Sequence, residues 1–332
     1  MKKVNWGILS TAGIAQKELI PAFQRAANAE VLAIASSSGM DKAIMIADKF
    51  NIKKAYDSYE KLLDDPSIEA IYIPLPNHLH KKWTIEAAKK GKHILCEKPA
   101  AVSAEEFKEM RAACEEYGVL FMEGFMYHFH PQHARVKEII ASGEIGEVSY
   151  MRATHSFYMK DPETNVRVKY QAGGGSIYDI GSYAIHVIRN VLGAEPETVK
   201  AEAVKNTLGV DTAAYGYLTF ANGVRATFDS SFQLADRNEY EVAGTKGRII
   251  VPRAFRPDRM GGDGLVIVET EGVSRTETLT TDQYRDQVAH ISQAILQGER
   301  ALHNDYENTL ANMRVIDACM ESIETGKQVK LG

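Results

Sequence analysis

Short apolar runs separated by amphipathic stretches fill the first third of the chain. The runs at residues 4–9, 31–35, 70–73, 93–96 and 119–122 are rich in Val, Ile, Leu and small residues, with little polar alternation. Runs of this kind predict strands buried on both faces. Between them, stretches ending at 25 and spanning 40–50, 80–90 and 104–117 repeat apolar residues at helical spacing. The last sets Phe107, Met110, Ala113 and Cys114 on one stripe. Strands alternating with helices predict crossover units and a parallel sheet. After Glu123 the rhythm changes. A helix is predicted from 131 to 142, a strand over 148–157, and a helix reaching about residue 192. Then come alternating runs at 198–204, 215–220, 224–232, 239–243, 248–251, 265–269 and 276–279, with Phe220-Ala221-Asn222-Gly223-Val224 as a hairpin signal. These predict an open, mostly antiparallel sheet of six or more strands, followed by helices over 284–297 and 306–324. The fold class is therefore α/β in two domains, residues 1–123 and 124–332. The last helices could pack back on the first domain.

A chain of 332 residues is too long for one ordinary core, which supports the division. A net charge of −5 argues against nucleic acid or an anionic membrane as partner. No apolar run is long enough to span a bilayer, and Met1-Lys2-Lys3-Val4 leads straight into a strand without a signal-peptide pattern. Cys96, Cys114 and Cys319 are odd in number and far apart, so no disulfide framework or zinc spacing is expected. A cytoplasmic location follows as the expectation. A large sheet with one set of helices leaves a face to cover. A second copy of the same sheet is the expected cover, giving a homo-oligomer.

The candidate chemistry begins at Glu97-Lys98-Pro99, just past the strand at 93–96. In an open parallel sheet ligands bind at the carboxyl ends of the strands. Proline restricts the residue before it, so Lys98 is a cation held at a fixed place. The turn after the first strand, Ser10-Thr11-Ala12-Gly13-Ile14-Ala15, is where a dinucleotide phosphate would sit. Its glycine fingerprint is degenerate, reading Ser10-x-Ala12-x-x-Ala15. A tight turn with no ligand is the plain alternative. Ser36-Ser37-Ser38 occupies the ribose-reading position after the second strand, where NAD binders carry a carboxylate. With none present and Lys42 nearby, NADP is favoured over NAD. Pro74 and Pro76 stiffen the next edge loop. Asn77 could cap the following helix or present its amide to a cofactor, and His80 could face the cleft. Cys96 reads as a buried small residue. His128, His130 and His133 lack a completing carboxylate or cysteine, so no metal site is expected. Gly173-Gly174-Gly175 lets the chain turn sharply and lie close to a ligand. On the helix that follows, Asp179 and Tyr183 are four apart and share a face, either as a solvated polar pair or as an acid–base pair.

Together, the small-residue turn, Glu97-Lys98-Pro99, the aromatic crossing from Glu123 to Pro131, and the glycine run with Asp179 and Tyr183 resemble the Gfo/Idh/MocA oxidoreductases over nearly the whole chain. Tyr183, where many inositol dehydrogenases have histidine, looks more like the glucose–fructose oxidoreductase, xylose dehydrogenase and dimeric dihydrodiol dehydrogenase branch. His128 departs from the arginine common at that place, which puts in doubt any substrate or interface contact the arginine would make. The resemblance implies a Rossmann domain, an open-sheet α+β domain, and hydride transfer with NADP or NAD. It also implies Lys98 and Tyr183 at the reacting carbon, with Asp179 close by. Free tyrosine and lysine, with pKa values of about 10 and about 10.4, are poor bases near neutrality. A neighbouring cation favours phenolate. Tyr183 is therefore assigned as the acid–base group and Lys98 as its electrostatic partner, with the roles exchangeable. Asp179 would orient the substrate or the lysine. Glu97 and Asn77 would bind the nicotinamide end. The expected substrate is a carbohydrate-like small molecule, with Tyr127, Phe157, Arg167, Tyr170 and His186 as candidate pocket residues. Two alternatives stay open: a reductase or dehydrogenase of a non-sugar diol, carbonyl or imine, and a non-catalytic NADP sensor.

Overall fold

Six short strands, β1 (Val4–Leu9), β2 (Ala29–Ala35), β3 (Lys54–Tyr56), β4 (Ala70–Ile73), β5 (His93–Cys96) and β6 (Phe121–Glu123), form a parallel sheet in the order β3-β2-β1-β4-β5-β6. The computed structural model describes residues 2–331, the Thr164 side chain excepted. Every residue of β4 is buried, as a central strand covered on both faces requires. Trp6 packs on Phe23 with ring centroids 5.0 Å apart, and Tyr59 meets Trp83 edge-on at 4.9 Å. Strand order reverses direction between β1 and β4. The crevice outside their carboxyl ends is the ligand-binding place of such sheets. Two short elements escape the sequence pattern, β3 and the helix Tyr59–Leu63. Each is too short for a period to register.

The chain divides into two compact units. The first runs up to Phe129 and includes Asp282–Leu310. The reason is the helix Gln283–Gln297. It buries Tyr284, Val288 and Ile291, and its Ser292 Oγ accepts a hydrogen bond from Trp6 Nε1 at 3.1 Å.

The second unit, His130–Thr281 with the chain from Ala311 onward, is built on nine strands. These are β7 (Val148–Ser156), β8 (Thr198–Lys205), β9 (Asp211–Thr219), β10 (Arg225–Ser231), β11 (Arg237–Gly244), β12 (Gly247–Val251), β13 (Asp263–Thr270), β14 (Val273–Thr280) and β15 (Val329–Lys330), in the order β14-β13-β12-β11-β7-β10-β9-β8-β15. Among the paired strands only β7 and β10 run parallel. Alternation sorts the two faces. Met151, Ala153 and His155 of β7, Ala214 and Leu218 of β9, and Phe228 and Ser230 of β10 are buried on the side of the helices Pro131–Ala141 and Ser182–Leu192. Tyr215 and Tyr217, on the other face, are 49% and 42% exposed.

Candidate active site

Both units carry chemistry-bearing stretches. In the first, the turn after β1 lies at the reversal of strand order. Ser10 has a φ of +124°, a left-handed conformation that favours glycine, and it stands where the fingerprint's first glycine would stand. Its amide donates to Ala35 O at 3.0 Å, and its Oγ accepts from Ala12 N at 3.0 Å. Thr11, Ala12, Gly13 and Ile14 follow, and the helix opens with a π turn, Ala15–Leu19. Nothing lies within 4 Å of the place a Gly13 Cβ would take. The first amides of a helix have no partner within it, so an anion is favoured there. Gly7, inside β1, serves packing. A Cβ there would lie 2.5 Å from Leu62 Cδ2.

At the end of β2 the serine triplet divides. Ser36 is buried, and its Oγ accepts from Ser38 N at 3.2 Å inside the turn. Ser37, Ser38 and Lys42 remain exposed, with Ser37 Oγ 3.2 Å from Tyr59 Oη.

The loop bearing Lys98 is braced from several directions. Glu97 N donates to Ile73 O at 3.1 Å, tying the loop to the end of β4 beside the buried Pro74. Glu97 Oε1 accepts from the buried Tyr72 hydroxyl at 2.6 Å, and burial raises that phenol's pKa. The Lys98–Pro99 peptide is cis. Ala100 N donates to Oε1 of the buried Glu123 at 2.8 Å. His80 joins the same brace. Its ring is fully buried, with Nδ1 2.9 Å from Pro99 O and Nε2 2.8 Å from Leu75 O. Burial pushes its pKa down to about 4. His80 thus sits between the carbonyls of the two edge loops, where a neutral ring donates to one of them. Asn77 lies in a 3-10 turn, Asn77–Leu79, and no side-chain cap is found on the helix after it, His80–Lys89. Cys96 is buried, which raises its thiol pKa well above the ordinary value.

In the second unit, Asp179 lies in a π turn, Ile177–Gly181, that runs into the helix Ser182–Leu192 carrying Tyr183. π turns inside helices recur at functional sites. Arg167 Nε donates to Asp179 Oδ2 at 2.7 Å. The Tyr183 ring is 6% exposed and sits edge-on to His155 at 5.3 Å and tilted against Phe255 at 5.4 Å, while His155 and Phe255 stack at 4.9 Å. Neither wall residue was foreseen. The signal for His155 was its place in the buried alternation Met151, Ala153, His155; for Phe255 there was none.

The glycine run is explained by protein atoms. A Cβ on Gly174 would lie 2.5 Å from Arg167 O, and one on Gly175 2.2 Å from Asp211 Oδ1. Of the guessed pocket residues, His186 is fully buried, its ring 2.9 Å from Asn190 Nδ2. Phe157 packs on Phe232 at 5.3 Å in a small cluster with Met159, Val168 and Ile180. Tyr127 is buried in the first unit against Phe125, and Tyr170 is exposed. His128 Nδ1 lies 2.6 Å from Asn304 Oδ1, His130 Nε2 3.0 Å from Gly262 O, and His133 Nδ1 3.0 Å from Tyr240 Oη. Among the described residues no group of three or more His, Cys, Asp or Glu could hold a metal ion. None of the described helices is long and apolar enough to cross a membrane.

Residues 4–125 match the "Oxidoreductase family, NAD-binding Rossmann fold" profile, and residues 133–250 the "GFO/IDH/MocA C-terminal domain" profile. The chain belongs to the Gfo/Idh/MocA oxidoreductases. As a member of that family it is an NAD(P)-dependent dehydrogenase or reductase. It is 41% identical over 327 residues to a D-xylose 1-dehydrogenase (NADP(+)) of Haloferax volcanii, covering 98% of this chain and 99% of that one. It is 31% identical over 265 residues to a trans-1,2-dihydrobenzene-1,2-diol dehydrogenase of Mus musculus, covering 79% and 78%. A 3-ketoreductase from Actinomadura kijaniata, solved with NADP and TDP-benzene, superposes with a TM-score of 0.91 at 30% identity and 98% coverage of both chains. The turn in the first unit fits the dinucleotide of the Gfo/Idh/MocA oxidoreductases. Its side chains are small, Ser10 already adopts the strained φ, and the space beside Gly13 is open.

Proposed function

We propose that this chain interconverts a hydroxyl and a carbonyl on a sugar or polyol-like substrate with NADP as its partner, Tyr183 acting as the acid–base group. The observation that carries the substrate class is the 41% identity, end to end, with an NADP-dependent xylose dehydrogenase. The relative active on an aromatic diol favours a second reading, a non-sugar diol or carbonyl. A carboxylate-free Ser36–Ser38 stretch with the exposed Ser37, Ser38 and Lys42 supports the NADP preference. When bound, the nicotinamide supplies the hydride acceptor or donor. Ser10, Thr11, Ala12, Gly13 and Ile14 would receive the phosphates, and Glu97 and Asn77 the nicotinamide end.

This chain's own residues handle the proton. The substrate oxygen must lose one as hydride leaves its carbon. Tyr183 takes it, and returns it in the reverse direction. Making phenolate available near neutrality means lowering a pKa of about 10 by about 2 to 3 units, about 3 to 4 kcal/mol, within what one or two desolvated charges supply. Lys98 provides that charge and steadies the substrate oxygen. His155 and Phe255 fix the ring plane of Tyr183 and keep water from its faces. Asp179, tethered by Arg167, orients the substrate hydroxyl or the lysine. We assign the exposed face of the nine-stranded sheet, with Tyr215 and Tyr217, to a second copy of this chain.

The test is a panel of aldoses, polyols and diols with NADP and NAD, run on wild type, Tyr183→Phe and Lys98→Ala. Both variants are expected to lose turnover while calorimetry still reads NADP binding, tighter than NAD. A near-normal rate in either variant overturns that residue's role. Tighter NAD overturns the reading of the serines.

A further inference from the structure

Asp211 belongs to no part of the chemistry described so far, yet it is placed under the turn that carries it. It is the first residue of β9 and is 3% exposed. Its Oδ2 accepts from Ser176 Oγ at 2.8 Å and from Ile177 N at 2.8 Å. Ser176 Oγ in turn accepts from Ser230 Oγ at 3.0 Å, and both serines are fully buried. The approach is permitted by two missing side chains. Gly175, at a φ of +134°, would drive a Cβ to 2.2 Å from Asp211 Oδ1, and Gly181 leaves Ser230 Oγ only 3.1 Å from where its Cβ would be. Residues 175, 176, 177 and 181 are thus gripped from below by β9 and β10, while Asp179 lies between them and Tyr183 two residues beyond. The turn that is gripped is a π turn, a winding that ordinary helix propensity does not favour.

We propose that Asp211 is a positioning residue: its carboxylate, with Ser176 and Ser230, holds the π turn that sets where Asp179 and Tyr183 point. The proposal rests on the acid–base role assigned to Tyr183. Gly175 and Gly181 are then a requirement of this grip, and not of a ligand. A buried carboxylate at the start of a helix also meets the unpaired amides of its first turn, which is why the charge is tolerated there. Burial raises the pKa of Asp211, and the bonds from Ile177 and Ser176 oppose that rise.

The experiment uses the full-length protein and four variants: Asp211→Ala, Ser176→Ala, Tyr183→Phe, and Asp211→Ala with Tyr183→Phe. Asp211→Ala is expected to lower kcat about 10- to 100-fold, as a catalytic group displaced by an ångström does, with NADP affinity by calorimetry within about twofold. On the Tyr183→Phe background the same substitution should lower the residual kcat by a smaller factor than in wild type, because only the part that passes through Asp179 is left. The ring signals of Tyr183 in ¹³C-tyrosine-labelled protein, assigned with Tyr183→Phe, should shift in Asp211→Ala. A purely structural role would instead lower the folded fraction and NADP binding together. If Asp211→Ala does not fold, Ser176→Ala is expected to lower kcat about threefold or more by the same route. Unmoved Tyr183 signals, or an unchanged kcat beside an inactive Tyr183→Phe, overturn the proposal. Shifted signals with full activity in Tyr183→Phe keep the positioning and overturn the catalytic reading alone.

Discussion

Replacing His80 by glutamine should flatten the acid side of the stability profile of the first unit. The ring is fully buried between two carbonyls, and burial lowers its pKa from the ordinary 6.5 to about 4. An unfolded chain releases that restraint, so between these limits the unfolded state binds a proton the folded state refuses. Stability from this group is therefore complete above pH 6.5, falls as pH drops, and is gone below about 4. At about 1.4 kcal/mol per pH unit the loss amounts to about 3 kcal/mol. The assay is denaturant unfolding at pH 7, 6, 5 and 4, followed by tryptophan fluorescence. Trp6 and Trp83 are the two tryptophans of the chain and both belong to the first unit, so the signal reads that unit. Carboxylates such as Asp282, held low by Arg25 against its own burial, lose stability in the same acid range in both proteins. The difference between wild type and His80→Gln isolates the histidine. Wild type should lose about 3 kcal/mol more than the variant between pH 7 and pH 4. The two carbonyl contacts favour an imidazolium and work in the opposite direction. Parallel curves, within about 0.5 kcal/mol of each other, would mean that they win and that burial does not control this ring.

Two further outcomes are expected. Arg167→Ala should cost less than about 1 kcal/mol of stability, because the arginine is half exposed, yet lower kcat/KM several-fold by untethering Asp179; an unchanged kcat/KM removes Asp179 from the site. Tyr217→Glu should convert a dimer to monomer in sedimentation equilibrium, since like charges would face each other across a two-fold interface; a persistent dimer places the interface elsewhere.

Local pattern carried much of this protein. The boundaries of β1, β4, β5 and the helix Met40–Phe50 follow directly from apolar runs and helical spacing, because a buried parallel strand or an amphipathic helix writes its period into consecutive residues. The degenerate turn at Ser10 and the loop at Lys98 were also legible, as each lies at the end of such a strand. Tertiary structure decided what period cannot encode. The inward turn of His80 and Ser36 is set by which carbonyl or amide the fold brings within hydrogen-bond reach. That a late helix could return to the first unit was legible; that it does so over Asp282–Leu310, with Ser292 meeting Trp6, joins residues 286 positions apart. The wall of His155 and Phe255 around Tyr183, and the grip of Asp211 on the turn before it, join residues from separate strands and loops. Their identities stand in the sequence. Their meeting is a property of the packed sheet, where close approach is permitted by missing side chains at Gly175 and Gly181 and cannot be read one segment at a time.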